Sequence, residues 1–144
     1  MAGNVTGARG GVLRLVAIAI FGLMFLAEAG DIFGLALTLA DPQPAADRSG
    51  LAVGAEVVRH SVLLIFAVVV AGGALLAVVG LLARKPALYH RGALVCAVGY
   101  LVYGVFQVAG GALQVGAGTV VVAGLIYMML GGIAYAMNRS VSPG

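Results

Sequence analysis

The sequence predicts an all-α, polytopic membrane protein: four transmembrane helices in an antiparallel bundle, forming a single domain. Three observations carry this expectation. Of 144 residues, 62% are hydrophobic and 9% charged, with a mean hydropathy of +1.14, whereas soluble domains carry about 25% charged residues. From Gly92 to Asn138 no residue bears a formal charge, and the only clear break is Gly116-Ala117-Gly118-Thr119. As one helix that run would be roughly 70 Å long, about twice a bilayer core of ~30 Å, so it must cross, turn at the glycines and cross back. Finally, basic and acidic residues separate by segment end, as topology signals do.

The first helix is expected over about 12–39, after a polar, glycine-containing head, with Glu28 and Asp31 inside the apolar run. Asp41-Pro42-Gln43-Pro44 stops it, because proline lacks the amide donor and disfavours helix just before itself. The stretch Arg9, Arg14, Leu15 to Leu26 and Ala27-Glu28-Ala29 resembles a secretory signal with an Ala-x-Ala cleavage site. The apolar run resumes from Ile32 to Leu39, which favours a retained helix. The second helix is expected over about 50–83, with Glu56, Arg59 and His60 in its first turns and Ser61 to Ala83 as the uncharged span. A basic connector follows (Arg84, Lys85, Pro86, His90, Arg91), then helices over about 92–115 and 119–137.

Four spans place Arg9, Arg14, Arg84, Lys85, Arg91 and Arg139 on one side. They leave Arg48, Arg59 and every acid (Glu28, Asp31, Asp41, Asp47, Glu56) on the other. Six basic residues against two predict cytoplasmic N- and C-termini. Tyr89 and Tyr135 are expected at the cytoplasmic interface with their hydroxyls in water. Heavy use of Ala, Gly and Val, with seven Arg to one Lys, points to a high-GC bacterium, and the expected location is a bacterial inner (plasma) membrane. The pI near 9.4 does not imply nucleic acid, since the basic residues are scattered over segment ends rather than gathered on one face.

Two polar constellations are candidate sites. The first is a charged interhelical cluster of Glu28, Asp31, Glu56, Arg59 and His60. A loop centred at about residue 45 brings residues whose numbers add to about 90 to one depth in antiparallel helices, which predicts an Asp31–Arg59 ion pair with Glu28 and His60 close by. Read structurally, the cluster is a partly solvated clasp near the outer surface. Read functionally, Glu28 or His60 exchanges protons or binds a cation. Depth favours the clasp: counted from Val12, Asp31 is ~28 Å along the helix, near the far interface. Glu28 lies one turn deeper and is the better functional candidate.

The second is a stripe of Tyr100, Tyr103, Gln107 and Gln114 at helical spacing, with Tyr127 level with Gln107 if the turn centres at 117. Its bland reading is interhelical glue worth about 0.6–2 kcal/mol per contact; its functional reading is a lining for a polar substrate or a quinone head group. Small residues add a third signal: Gly30 and Gly34 form a GxxxG, while Gly73/Gly80, Gly104/Gly111 and Gly124/Gly131 stand one heptad apart. Close packing within the four-helix unit is the default for such residues. Val70-Ala71-Gly72-Gly73 and Leu130-Gly131-Gly132 share too little to indicate duplication.

Several chemistries are excluded on sequence. Cys96 is the single cysteine, so no intramolecular disulfide or thiol pair exists. His60 and His90 fall on opposite sides of the bilayer and cannot form an axial haem pair. No HExxH, phosphate-binding loop or dinucleotide fingerprint occurs, and Ser61 beside His60 points away from it on a helix. No metal, cofactor or enzymatic activity is therefore expected.

Ala27-Glu28 in the first helix resembles the membrane-embedded Ala-Glu of the small multidrug resistance transporters, which are also four-helix proteins. The resemblance covers those two residues and implies a proton-and-drug site at Glu28 alone. The chain departs from that family in having no tryptophan, greater length and extra charges at Asp31, Arg59 and His60. Four spans in about 140 residues is also similar in outline to DoxX-like membrane proteins. The leading functional expectation is a non-catalytic accessory or structural subunit of an inner-membrane assembly, partnered by the lipid bilayer, by its own copies or by a larger complex. The alternative is a proton-coupled small-solute transporter or channel using Glu28 with Asp31, Arg59 and His60.

Overall fold

The computed structural model describes residues 4–40, 50–112 and 118–141. They form four helices, α1 (Asn4–Ala40), α2 (Gly50–Leu82), α3 (Pro86–Ala112) and α4 (Gly118–Ser140), with no strand among the described residues. Each contains a stretch long and apolar enough to cross a membrane: Gly10–Ala40, Val57–Leu82, Pro86–Ala109 and Gly118–Ser140. The shortest, 23 residues, rises ~34 Å against a core of ~30 Å. Leu15, Leu23, Phe33, Ile65, Phe106 and Met129 stand outward, each more than half exposed. So much apolar surface is stable only against hydrocarbon, and the chain is a multi-pass membrane protein.

Consecutive helices pack side by side, α1 on α2, α2 on α3 and α3 most tightly on α4, while α1 barely touches α4. The bundle thus closes everywhere except along the α1–α4 seam. The buried residues recur at alternating steps of three and four: Ala17, Phe21, Met24 and Glu28 on α1; Val70, Ala74, Ala77 and Leu81 on α2; Tyr89, Ala93, Cys96 and Tyr100 on α3. That is the heptad seam of left-handed bundles. Phe21 and Tyr89 meet edge-on across the bundle, ring centroids 6.1 Å apart.

Glycine sets the α3–α4 distance. A Cβ on Gly104 would stand 2.6 Å from the Gly124 carbonyl oxygen, and one on Gly124 would stand 2.8 Å from that of Gly104. Gly73, Gly80 and Gly131 are likewise pressed against neighbouring helices, whereas Gly30 and Gly34 have no neighbour within 4 Å. Gly73, Gly80, Gly104, Gly124 and Gly131 are internal packing sites and the GxxxG of α1 is not. Gly111 lies outside the residues whose side-chain surroundings are described.

α3 starts at Pro86, six residues before the sequence-based boundary at Gly92. Proline suits a first helical position, where an amide would be orphaned anyway, so His90 and Arg91 ride on the first turns of α3 rather than on a connector. The α2–α3 link is a tight C-cap. Lys85 N–H donates to the Gly80 carbonyl at 2.8 Å and Arg84 N–H to that of Leu81 at 3.4 Å, with Arg84 left-handed (φ 54°). Arg14 of α1 reaches across to the same helix end, its guanidinium donating to the Leu81 carbonyl at 2.6 Å. A cation on the last carbonyls also opposes the negative end of the α2 dipole.

At that end of the bundle Tyr89 donates to the Met137 carbonyl at 2.6 Å, and His90 Nδ1 lies 2.8 Å from Asn138 Oδ1. Tyr89 is fully buried, which corrects the expectation that its hydroxyl stands in water. A phenol that finds a carbonyl inside gains more by staying there. Tyr135 is exposed, with the Arg139 guanidinium 5.7 Å from its ring centroid. Arg14, Arg84, Lys85, Arg91 and Arg139 therefore gather at one end, and Glu28 and Asp31 lie toward the other.

Candidate functional site

Glu28 continues the buried stripe of α1 one turn beyond Met24 and is 5% exposed, the one buried charged side chain among the described residues. Fourteen residues separate it from Arg14, a rise of ~21 Å, so it sits about two-thirds of the way across a ~30 Å core. Asp31 is exposed, one turn further along.

Two cavities meet at these carboxylates. The larger, about 550 Å³, is a cleft in the α1–α4 seam, lined on α1 from Ile20 to Asp31, on α4 from Ala123 to Ile133, and backed by Tyr100 of α3. The smaller, about 200 Å³, lies on the other side of Glu28 and Asp31, against Leu63, Phe66 and Ala67 of α2 with Tyr103 and Tyr127. The aromatic residues form one group. Phe66 and Tyr103 stack at 4.6 Å, Tyr103 and Tyr127 meet edge-on at 4.6 Å, and Tyr100 and Tyr127 stack at 5.9 Å. Tyr100 and Glu28 line the larger cavity together. Gln107 donates through Nε2 to the Tyr103 hydroxyl at 2.5 Å.

The structure thus joins parts of the two sequence-derived sets. Glu28 and Asp31 from the charged cluster stand with Tyr100, Tyr103 and Tyr127 from the polar stripe. Arg59 is exposed and His60 half-buried on α2, and neither lines the two cavities. The Glu56 side chain and Gln114 lie outside the described residues.

Among the described residues no acidic and basic groups come within 4.0 Å, so the expected Asp31–Arg59 ion pair is not made. Register explains this. Arg14 meets Leu81, and Glu28 and Asp31 share a cavity with Leu63, Phe66 and Ala67, so level residues on α1 and α2 add to about 95 rather than 90. The offset of about five residues carries Arg59 ~7 Å past Asp31. A comparable shift separates α3 and α4, where Tyr127 faces Tyr100 and Tyr103. Gln107 therefore bonds within its own helix instead of across to Tyr127.

Elsewhere, Ser61 donates to the Val57 carbonyl at 2.8 Å and Cys96 is buried against the Val70 carbonyl. Among the described residues no three His, Cys, Asp or Glu side chains stand close enough to hold a metal ion. Sequence reasoning missed Arg14 as the cap of α2. It also missed the cleft-lining residues Ile20, Met24, Leu130 and Ile133, whose type is indistinguishable from lipid-facing surface.

Chemically, the site is a carboxylate in hydrocarbon and aromatic surroundings with no cation beside it among the described residues. Burying such a charge unpaired costs several kcal/mol (about 3–5 by loss of a partner). A proton or an organic cation arriving at Glu28 discharges that cost, and its departure restores it. Comparison with protein-family models, curated proteins and solved structures finds no match to this chain.

Proposed function

We propose that this protein is a proton-coupled carrier of small solutes in a bacterial inner membrane, with both termini cytoplasmic and Glu28 as the exchanging group. One observation carries the reading: Glu28 is buried, has no cationic partner among the described residues, and lies where two cavities meet. A carboxylate kept only as an interhelical clasp would be expected to hold a base. This one borders open space shared with Tyr100, Tyr103 and Tyr127. An intramembrane carboxylate facing a cavity is suited to alternate between a proton and a solute. The gathering of basic residues at the opposite end supports the orientation.

The test is proton movement in vesicles loaded with a pH-sensitive dye, challenged with small amines, acids and sugars. Wild type should release protons with one class of solute and Glu28→Gln should not; equal traces from the two proteins would refute the reading.

A second reading, a non-catalytic subunit of a larger assembly or of a homo-oligomer, is favoured by Gly30 and Gly34. Their open face on α1 has room for a partner helix. Bulky substitution at both positions should abolish co-purification of a partner or of a second copy while leaving the four-helix unit folded.

A further inference from the structure

We infer that the outer groove between α3 and α4, facing away from α1, is a binding site for one anionic phospholipid. Its phosphodiester sits between Arg91 and Arg139, and one acyl chain lies over Gly132. The site makes no use of Glu28 and stands whether or not that residue exchanges protons. Three observations converge on it.

The first is the direction of the two guanidiniums. α3 and α4 run antiparallel: Gly104 packs on Gly124, Leu101 on Gly131, and His90 Nδ1 lies 2.8 Å from Asn138 Oδ1. One residue further along a helix turns about 100°. In an antiparallel pair that turn carries both following residues to the same side. One residue back from the His90–Asn138 contact, Tyr89 donates to the Met137 carbonyl at 2.6 Å and meets Phe21 of α1. Tyr89 and Met137 therefore mark the inner side of the pair, and Arg91 and Arg139 mark the outer. Both arginines are exposed.

The second is charge. No Asp or Glu follows Glu56 in the sequence, so α3 and α4 carry no acidic side chain to pair with either arginine. Glu28 and Asp31 lie toward the other end of the bundle. The Arg139 guanidinium stands 5.7 Å from the Tyr135 ring centroid, which keeps it at the mouth of the groove. Cations at a membrane surface attract anionic lipid heads. A guanidinium also offers paired donors that match phosphate oxygens.

The third is the surface beneath. Gly132 comes one heptad before Arg139, and Val98 one heptad after Arg91. Each therefore lies on the stripe of its arginine, ~10 Å deeper. Because Gly131 packs on Ala97 and Leu101, Gly132 is level with Val98. A Cβ on Gly132 meets nothing within 4 Å, while Val98 and Tyr135 beside it are 52% and 48% exposed. The glycine floors a notch with apolar and aromatic walls, two turns below the charges. A lipid fills it with a chain joined to its own phosphate, whereas a free phosphate leaves it empty.

The test is native mass spectrometry of the delipidated protein in mild detergent. It is titrated with phosphatidylglycerol and with phosphatidylcholine of the same acyl chains. Two basic residues at a charged surface predict that wild type prefers one phosphatidylglycerol by roughly ten- to thirtyfold. Arg91→Gln with Arg139→Gln should erase the preference. Arg84→Gln with Lys85→Gln removes the same charge from the α2–α3 turn and should keep it. Gly132→Leu fills the notch, leaves both arginines in place and should weaken phosphatidylglycerol several-fold. Glycerophosphoglycerol, the same head without chains, should not displace the lipid at equal concentration. No preference in wild type overturns the proposal. Equal loss in the two double variants also overturns it, since net charge alone would then draw the lipid. Displacement by the chainless head does the same, leaving a site for a free phosphodiester.

Discussion

Adding one methyl group at Gly124 should destabilise the bundle, and the same change at Gly132 should not. The two glycines occupy one helix, eight residues apart. At Gly132 a Cβ meets nothing within 4 Å; at Gly124 it would lie 2.8 Å from the Gly104 carbonyl oxygen and 2.9 Å from the Val108 amide nitrogen. Both are backbone atoms and cannot rotate away, so α3 and α4 must part by roughly half an ångström. Overpacking of this kind costs about 1–3 kcal/mol. Replacing glycine by alanine within a helix contributes up to about 1 kcal/mol in the opposite sense. Gly132→Ala should therefore be neutral or slightly stabilising, and Gly124→Ala should be the less stable of the two by about 1–3 kcal/mol. The assay is reversible unfolding in mixed micelles with increasing dodecyl sulfate, followed by circular dichroism. Coincident midpoints, or an earlier midpoint for Gly132→Ala, would refute glycine-mediated contact between α3 and α4.

The same titration reads three further substitutions. Arg14→Met removes the guanidinium from the Leu81 carbonyl and should cost about 1–2 kcal/mol, the worth of a charged hydrogen bond at a helix end; a midpoint equal to wild type would deny the cap. Arg84→Gly relieves a left-handed residue and should stabilise by up to about 1 kcal/mol, so an earlier midpoint would contradict the cap geometry. Glu28→Leu exchanges a buried carboxylate, without a basic partner among the described residues, for hydrocarbon and should stabilise by about 1–4 kcal/mol while abolishing solute-driven proton movement. Loss of stability would mean that Glu28 serves structure first.

The number of spans and the gathering of basic residues at one end were legible in the sequence because both depend on long windows. What faces inward was harder to read. A helix that is apolar all round has no amphipathic signal, so Leu23, facing lipid, and Met24, facing the core, look alike. The signal that survives is the step of three and four among unusual residues: Ala17, Phe21, Met24, Glu28 and then Asp31. Followed along α1, that pattern assigns Glu28 to the interior. Register was the weaker inference, because it hung on where each loop is centred. A displacement of about five residues was enough to separate Asp31 from Arg59. Spacing alone could not tell Gly30 and Gly34, which touch nothing, from Gly73 and Gly80, which are tightly packed. The meeting of Glu28 with Tyr100 and Tyr127 around one cleft depends on how α1, α3 and α4 are arranged in the bundle, a relation that no local pattern encodes.

The central claim is that the Glu28 carboxyl lies buried within the membrane-spanning bundle, out of reach of a bulky water-soluble reagent. Modification by a lipid-soluble carbodiimide and by a bulky, charged, water-soluble one, compared on membranes by peptide mass mapping, tests it directly. The account expects the lipid-soluble reagent to modify Glu28 and the charged reagent to leave it untouched. Equal modification of Glu28 by both reagents would contradict the account.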